Sequence, residues 1–301
     1  MDEQAKQKRQ AARWSLLSNS ALLTLKLIVS VLTGSVAVLA EVIHSGADLV
    51  GSIVAFASVR VADEPPDSIH AYGHGKIENL SGVATALSIA VGGLYTIWEA
   101  VTHLREGATV TRIGWALATM ALSFAINLVV SRHLLLVGRA TDSPALISDG
   151  YHLQTDVWTS LGVFVGLSLV AVTHAPWWDS AAALIVAVLI LRVGWDLARD
   201  ALRTLADSAL PPDEEKRIAD VLLAHSGVLG YHKLRTRKSG SHRHVDVHVQ
   251  IDDSHSFVEA HRLTEELEDQ LRDALPNLHP IIHMEPFDDE AEHQRQRHGQ
   301  G

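Results

Sequence analysis

Glu41-Val42-Ile43-His44-Ser45-Gly46-Ala47-Asp48 and Asp149-Gly150-Tyr151-His152-Leu153-Gln154-Thr155-Asp156 are the stretches whose reading decides the fold. Each places a His-x3-Asp pair inside a long apolar run. Four residues of α-helix turn about 400° and rise about 6 Å, so His44 and Asp48 share one helical face, as do His152 and Asp156. Two such helices set side by side offer two imidazoles and two carboxylates, a tetrahedral N2O2 set suited to a divalent ion. An ionisable side chain near a bilayer centre costs about 2.5–3.5 kcal/mol on insertion scales, so the quartet costs on the order of 10 kcal/mol uncompensated. A bound cation is the simplest compensation; an aqueous crevice or hydrogen bonds between helices are the alternatives.

Working outward, six runs are long and apolar enough to cross the roughly 30 Å of hydrocarbon that about 20 helical residues span. They cover residues 14–34, 36–61, 77–103, 113–137, 146–173 and 177–205. The first two meet at Thr33, Gly34 and Ser35, a tight hairpin. Lys6, Lys8 and Arg9 in a leader over residues 1–12 with Arg13 directly after it, Arg60 and Lys76 where the second and third runs are joined, Arg132 and Arg139 where the fourth and fifth are joined, and Arg199 and Arg203 at the end of the sixth all fall on one side. Arg105 and Arg112 alone fall on the other, so the positive-inside rule predicts that both termini are cytoplasmic. No small-x-small cleavage site interrupts the first run, which reads as an uncleaved helix rather than a secretory signal. Lys26, Glu41 and Glu99 within the runs read as structural or interfacial, and Trp177-Trp178 as an aromatic belt anchor.

The solvent changes after residue 208. Residues 1–208 carry 14 Lys/Arg and 17 Asp/Glu, whereas the last 93 carry 11 and 18, so a bilayer domain over 13–208 gives way to a water-soluble one over 209–287. Leu210-Pro211-Pro212-Asp213 breaks the sixth helix, and Asp213 is expected to cap a helix to Ala224. Residues 231–237 and 244–251 read as strands across the turn Lys238-Ser239-Gly240-Ser241, the second alternating as Val245, Val247, Val249 and Ile251. A helix over 256–275 and a strand over 280–287 complete an α-β-β-α-β order, a small two-layer α+β domain. The polar tail over 288–301 has no periodicity and is expected to be disordered.

With no cysteine in the chain, thiolate ligands, iron–sulfur clusters and disulfides are excluded, so a metal must be held by nitrogen and oxygen. Eleven of the 18 histidines lie in the last 93 residues. A net charge of -10 without a basic stripe argues against nucleic acid. Two further clusters are candidates. In the loop after the second run, Asp67, His70 and His74 are spaced so that a bent chain directs all three at one ion, and read equally well as a solvated loop. In the soluble domain His232, His248, His261, His283 and Glu285 come from four elements; by themselves they read first as surface histidines, like His242, His244 and His255 beside them. No His-Glu-x-x-His is present, so an intramembrane metalloprotease is disfavoured. A membrane-anchored zinc sensor is the rival to a transporter.

Together, His44-x3-Asp48, His152-x3-Asp156, the loop Asp67-x2-His70-x3-His74-Gly75-Lys76, six spans and the C-terminal α+β domain resemble the cation diffusion facilitator transporters over almost the whole chain. The resemblance implies an all-α six-helix transmembrane domain followed by a metallochaperone-like α+β cytoplasmic domain. It implies a secondary transporter, not an enzyme: a homodimer in the cell (inner) membrane exporting a divalent transition metal in exchange for protons. His44, Asp48, His152 and Asp156 would form the transport site between the second and fifth spans, and Asp67, His70 and His74 the loop site. His232, His248, His261 and His283 would be ligands of a binuclear cytoplasmic site; Glu285 stands where bacterial members often carry aspartate. Lys76 and Asp207 would form a charge interlock at the membrane surface. Many bacterial members carry aspartate in place of His44, and two imidazoles with two carboxylates favour Zn2+ over oxygen-preferring manganese or magnesium. Zn2+ is therefore the expected substrate and regulatory ligand, with export mainly of Fe2+, Cd2+ or Co2+ as the alternative.

Overall fold

A computed structural model describes residues 3–33, 36–106, 113–175 and 177–287. Gly34 and Ser35 of the expected hairpin, Arg112, the side chain of Glu41, and the tail 288–301 with His293 and His298 lie outside the described residues. The elements run α1 Glu3–Thr33, α2 Val36–Ala62, α3 Lys76–Glu106, α4 Ile113–Ala140, α5 Pro144–Thr173, α6 Trp177–Leu205, α7 Pro212–Ala224, β1 Gly230–Ser239, β2 His242–Ile251, α8 Phe257–Ala274 and β3 Leu278–Pro286. They divide into two compact units, Met1–Leu202 and Arg203–Gly301.

In the first unit, α1 to α6 are each long and apolar enough to cross a membrane. Helix α1 starts at Glu3, so the leader is continuous with the first span instead of preceding it. The reason is electrostatic. Lys8 is only 5% exposed, and its Nζ pairs with Asp63 Oδ1 at 2.5 Å and Glu78 Oε1 at 3.2 Å. Arg9 Nε reaches Asp63 Oδ2 at 3.3 Å, and Glu78 Oε2 accepts from Ser143 Oγ and from Ala145 N. A buried cation is tolerated because carboxylates surround it and their remaining lone pairs are satisfied. This network ties α1, the end of α2, α3 and the start of α5 around an apolar cluster that includes Ala11, Ala12, Val59, Leu134, Leu146 and Leu153. Ser143 is the N-cap of α5 and Pro144 opens its first turn, where a missing N–H costs nothing. Along α5, a Cβ on Gly150 would stand 2.9 Å from Leu135 Cγ, so a glycine is what lets α4 and α5 approach here.

The second unit folds as read from its alternation. Val245, Val247, Val249 and Ile251 point inward to Ile218 and Leu222 of α7 and Leu263, Leu267 and Leu271 of α8. Strand β2 is central, antiparallel to β1 and parallel to β3, with α8 as the crossover that a parallel pair requires. Ser256 and Glu259 close a capping box at the start of α8. Asp213 is not the N-cap of α7: Pro211 occupies that position, Pro212 is the first helical residue, and Asp213, Glu214 and Glu215 fill the first turn, where carboxylates suit the helix dipole. The β1–β2 turn is tighter than expected, Gly240-Ser241 alone, with Gly240 at φ +58° as the first central residue of a type II′ hairpin requires. Arg243 binds Glu214 through Nε at 2.8 Å and Nη2 at 2.6 Å, joining β2 to α7.

Candidate metal centres

Helices α2 and α5 bring the two His-x3-Asp pairs together. His152 Nε2 lies 3.2 Å from Asp48 Oδ1. His44 Nε2 lies 3.9 Å from Asp48 Oδ2 and 3.7 Å from Asp156 Oδ1. Donors round one tetrahedral zinc at 2.0–2.2 Å stand about 3.3 Å apart; His44, Asp48 and Asp156 present ligand atoms within 4.8 Å of one another, and His152 stands outside that trio, against Asp48. Asp48, His152 and Asp156 are buried, whereas the His44 side chain is 52% exposed, so the site opens past His44. Asp156 Oδ2 and His152 Nδ1 are buried without a hydrogen-bond partner among the described residues. Orphaned buried polar atoms are rare, and here they border a ready-made donor set.

Two neighbours had no part in the metal site as read from the sequence. Asp149, 2% exposed and one turn before His152, has a buried Oδ2 without a hydrogen-bond partner among the described residues. Lys26, 4% exposed, donates to Ser45 Oγ at 2.8 Å, directly beside His44.

The loop cluster also converges. Asp67 Oδ1 accepts from Ile69 N at 2.8 Å and His70 N at 2.6 Å, and Gly73 at φ +81° supplies the left-handed turn that folds the chain back. His74 Nε2 then lies 3.5 Å from Asp67 Oδ2, His70 Nδ1 lies 3.5 Å from Asp67 Oδ1, and the two rings stand 4.5 Å apart. The backbone N–H groups of His70 and Ile69, aided by the two histidines, hold the Asp67 carboxyl below its usual range.

In the second unit, Glu285 is the hub. His232 Nε2 lies 2.5 Å from its Oε2, His248 Nδ1 contacts its Oε1, and His283 Nε2 is 3.6 Å from Oε1. Partial burial raises the Glu285 carboxyl, but hydrogen bonds from His248 and His232 and their charge outweigh it and hold it below the ordinary value. His232 reaches the cluster through a bulge in β1: one extra residue between His232 and Arg235, with Lys233 at φ +52°, turns His232 onto the face where His248 points. His261 does not join them. It sits on α8 with Nε2 3.7 Å from Glu265, exposed, across a cleft of about 440 Å³ that His283 and Glu285 also line.

His255 is exposed as expected, but His242 and His244 are only half-exposed, because both lie on the sheet face against His279. Lys76 opens α3 in the first unit, and Asp207, at φ +55° just past α6, lies 3.5 Å from Arg237 Nη1 within the second.

A family model described as the cation efflux transmembrane domain matches residues 12–206, and one described as the cation efflux protein cytoplasmic domain matches residues 210–287. The cation-efflux pump FieF of Pectobacterium atrosepticum is 35% identical over 269 residues, covering 88% of each chain. FieF of Yersinia pestis strain Pestoides F is 33% identical over 291 residues, covering 92% of this chain and 94% of its own. Among solved structures, the Zn form of CzrB is 36% identical over 27% of this chain and 92% of its own, with a TM-score of 0.24. The metal-bound C-terminal domain of the CzcD transporter from Thermotoga maritima is 25% identical over 25% of this chain and 87% of its own, also with a TM-score of 0.24.

Proposed function

The chain belongs to the cation efflux (cation diffusion facilitator) family of multi-pass membrane transporters, and from that premise we propose that it exports zinc from the cytoplasm in exchange for protons. His44, Asp48, His152 and Asp156 are the transport site in this reading. The observation that carries it is the meeting of the two His-x3-Asp pairs, His152 against Asp48 at 3.2 Å and His44 against Asp156 at 3.7 Å, with two buried atoms of the set lacking hydrogen-bond partners among the described residues.

Two neutral imidazoles and two carboxylates around Zn2+ sum to zero net charge, which removes the cost of holding the ion in a low-dielectric interior. A histidine must be neutral to bind metal, and imidazole titrates near neutral pH. Protons from a more acidic exterior therefore compete zinc off His152 and His44 once the site faces outward, and the protonated site returns inward, which makes the cycle an antiport. Zinc at His232, His248, His283 and Glu285, with His261 across the cleft, is the regulatory ligand of a homodimer. It biases the inward–outward equilibrium by its differential affinity for the two states. Asp67, His70 and His74 form a loop site on the cytoplasmic approach, and Lys76 and Asp207 the interlock at the membrane surface. The transport domain spans 13–208 and the cytoplasmic domain 209–287, in the inner membrane with both termini in the cytoplasm.

Proteoliposomes loaded with a zinc dye test this reading. Zinc flux should follow an imposed pH gradient, and Asp156→Ala should abolish it while the circular-dichroism spectrum stays that of the parent. Flux that survives Asp156→Ala, or that ignores the pH gradient, removes the assigned role.

A further inference from the structure

The helix-free face of the C-terminal sheet carries a second group of imidazoles. Strand β2 buries its odd-numbered residues from Arg243 to Ile251, so His242, His244 and His248 share the other face. Parallel register sets His244 beside His279 and His248 beside His283, so the same His–His pairing occurs twice, four residues and about 13 Å apart along the strands. One pairing belongs to the cluster around Glu285. The other lies at the hairpin end, where the two-residue turn delivers His242 as a third imidazole.

One nitrogen pair already stands at the separation of two ligands on a shared ion, and the third ring is stacked beside it. His242 Nδ1 and His279 Nε2 are 3.1 Å apart, with ring centres 5.2 Å apart. The His244 ring stacks on His279 with centres 5.3 Å apart and planes 23° from parallel. Imidazole nitrogens on one tetrahedral ion stand about 3.3 Å apart and their ring centres about 5 Å. His232 and His248, in the Glu285 cluster, are likewise 5.3 Å apart. His279 is exposed and lies between the other two rings, so its side chain turns at little cost to complete the set.

We propose that His242, His244 and His279 hold one borderline-soft divalent transition ion at an all-imidazole site distinct from the cluster on Glu285. Three protein nitrogens leave a fourth position for water or an incoming ligand. With no carboxylate in the set and Arg237 opposite His244 in the register, the site discriminates against cations that rely on oxygen donors. It ranks ions by their affinity for nitrogen: Ni2+ above Co2+, Cu2+ above both, and Mn2+ last. The site stands whether or not the membrane quartet carries ions.

The test is equilibrium dialysis of the full-length protein in detergent, freed of metal by chelator, with Ni2+ as the probe. His279→Asn and, separately, His242→Asn should each bind one Ni2+ fewer per chain than the parent. The same decrement should appear in a Glu285→Gln background, and excess Mn2+ should not displace the ion. An unchanged Ni2+ count in both histidine variants overturns the proposal, as does a decrement already complete in Glu285→Gln alone, or displacement by Mn2+.

Discussion

Replacing Asp48 by asparagine changes the shape of the membrane quartet hardly at all but removes one of its two negative charges. In the parent, Asp48 presents Oδ1 to His152 at 3.2 Å and Oδ2 to His44 at 3.9 Å, and in the proposed transport site it and Asp156 would offset the charge of a dication. After Asp48→Asn the occupied site carries a net charge of about +1, and one unit charge at membrane depth costs about 2.5–3.5 kcal/mol. At roughly 1.4 kcal/mol per decade, zinc affinity should fall by about two orders of magnitude. The metal-free variant should be no less stable than the parent, because burying an amide costs less than burying a carboxylate. Competition for Zn2+ against a calibrated chelator, in a background in which His248, Glu285, His279 and His70 are replaced so that the other proposed sites are removed, gives the affinity; a thermal melt in detergent gives the stability. An affinity within about threefold of the parent would falsify the charge argument, since so small a change is well under 1 kcal/mol. A lower melting temperature for the metal-free variant would show instead that Asp48 holds the helices together.

Other consequences are equally direct. Glu78→Ala leaves buried Lys8 with Asp63 as its remaining carboxylate and Ser143 without its acceptor, so the full chain should lose about 3 kcal/mol of stability, read as a lower melting temperature in detergent; an unchanged melt refutes the network's role. His44→Asp adds a carboxylate and removes a nitrogen, so manganese should compete with zinc for flux more strongly than in the parent, and an unaltered Mn2+ inhibition curve contradicts the ligand assignment. Burial first, then the charges of Arg237, His279 and His242, lower His244 from 6.5 to about 4. Between those values the unfolded chain binds a proton that the folded domain refuses. The contribution of neutral His244 is therefore intact above pH 6.5 and lost progressively as pH falls toward 4. His244→Leu should flatten the acid limb of stability against pH in chelator, and an identical slope would count against that burial.

Much of this molecule is legible in one dimension because its two environments demand different compositions. Apolar runs of about 20 residues have few stable destinations other than a bilayer, and the doubling of charge density beyond residue 208 marks water. The alternation Val245, Val247, Val249, Ile251 announces a half-buried strand, and Ser256 with Glu259 announces a helix start. The His-x3-Asp spacing likewise fixes each pair on one helical face, since periodicity is a local property.

Other features depend on contacts between distant segments. Lys6, Lys8, Arg9 and Arg13 read alike as a basic leader, yet Lys8 is buried because Asp63 and Glu78 come to it from other helices. His232 joins the Glu285 cluster because a one-residue bulge reverses the facing of β1, and bulges carry no compositional mark. His242 and His244 look like ordinary polar residues until the parallel register sets His279 against them.

Segment type, and facing along the regular helices and β2, were thus determined by the sequence alone, because hydrophobic length, strand alternation and helical spacing act within about 20 residues. Which histidine meets which carboxylate was decided only in the tertiary structure. Ligand geometry requires atoms from separate elements to agree within a few tenths of an ångström, and only packing sets that distance.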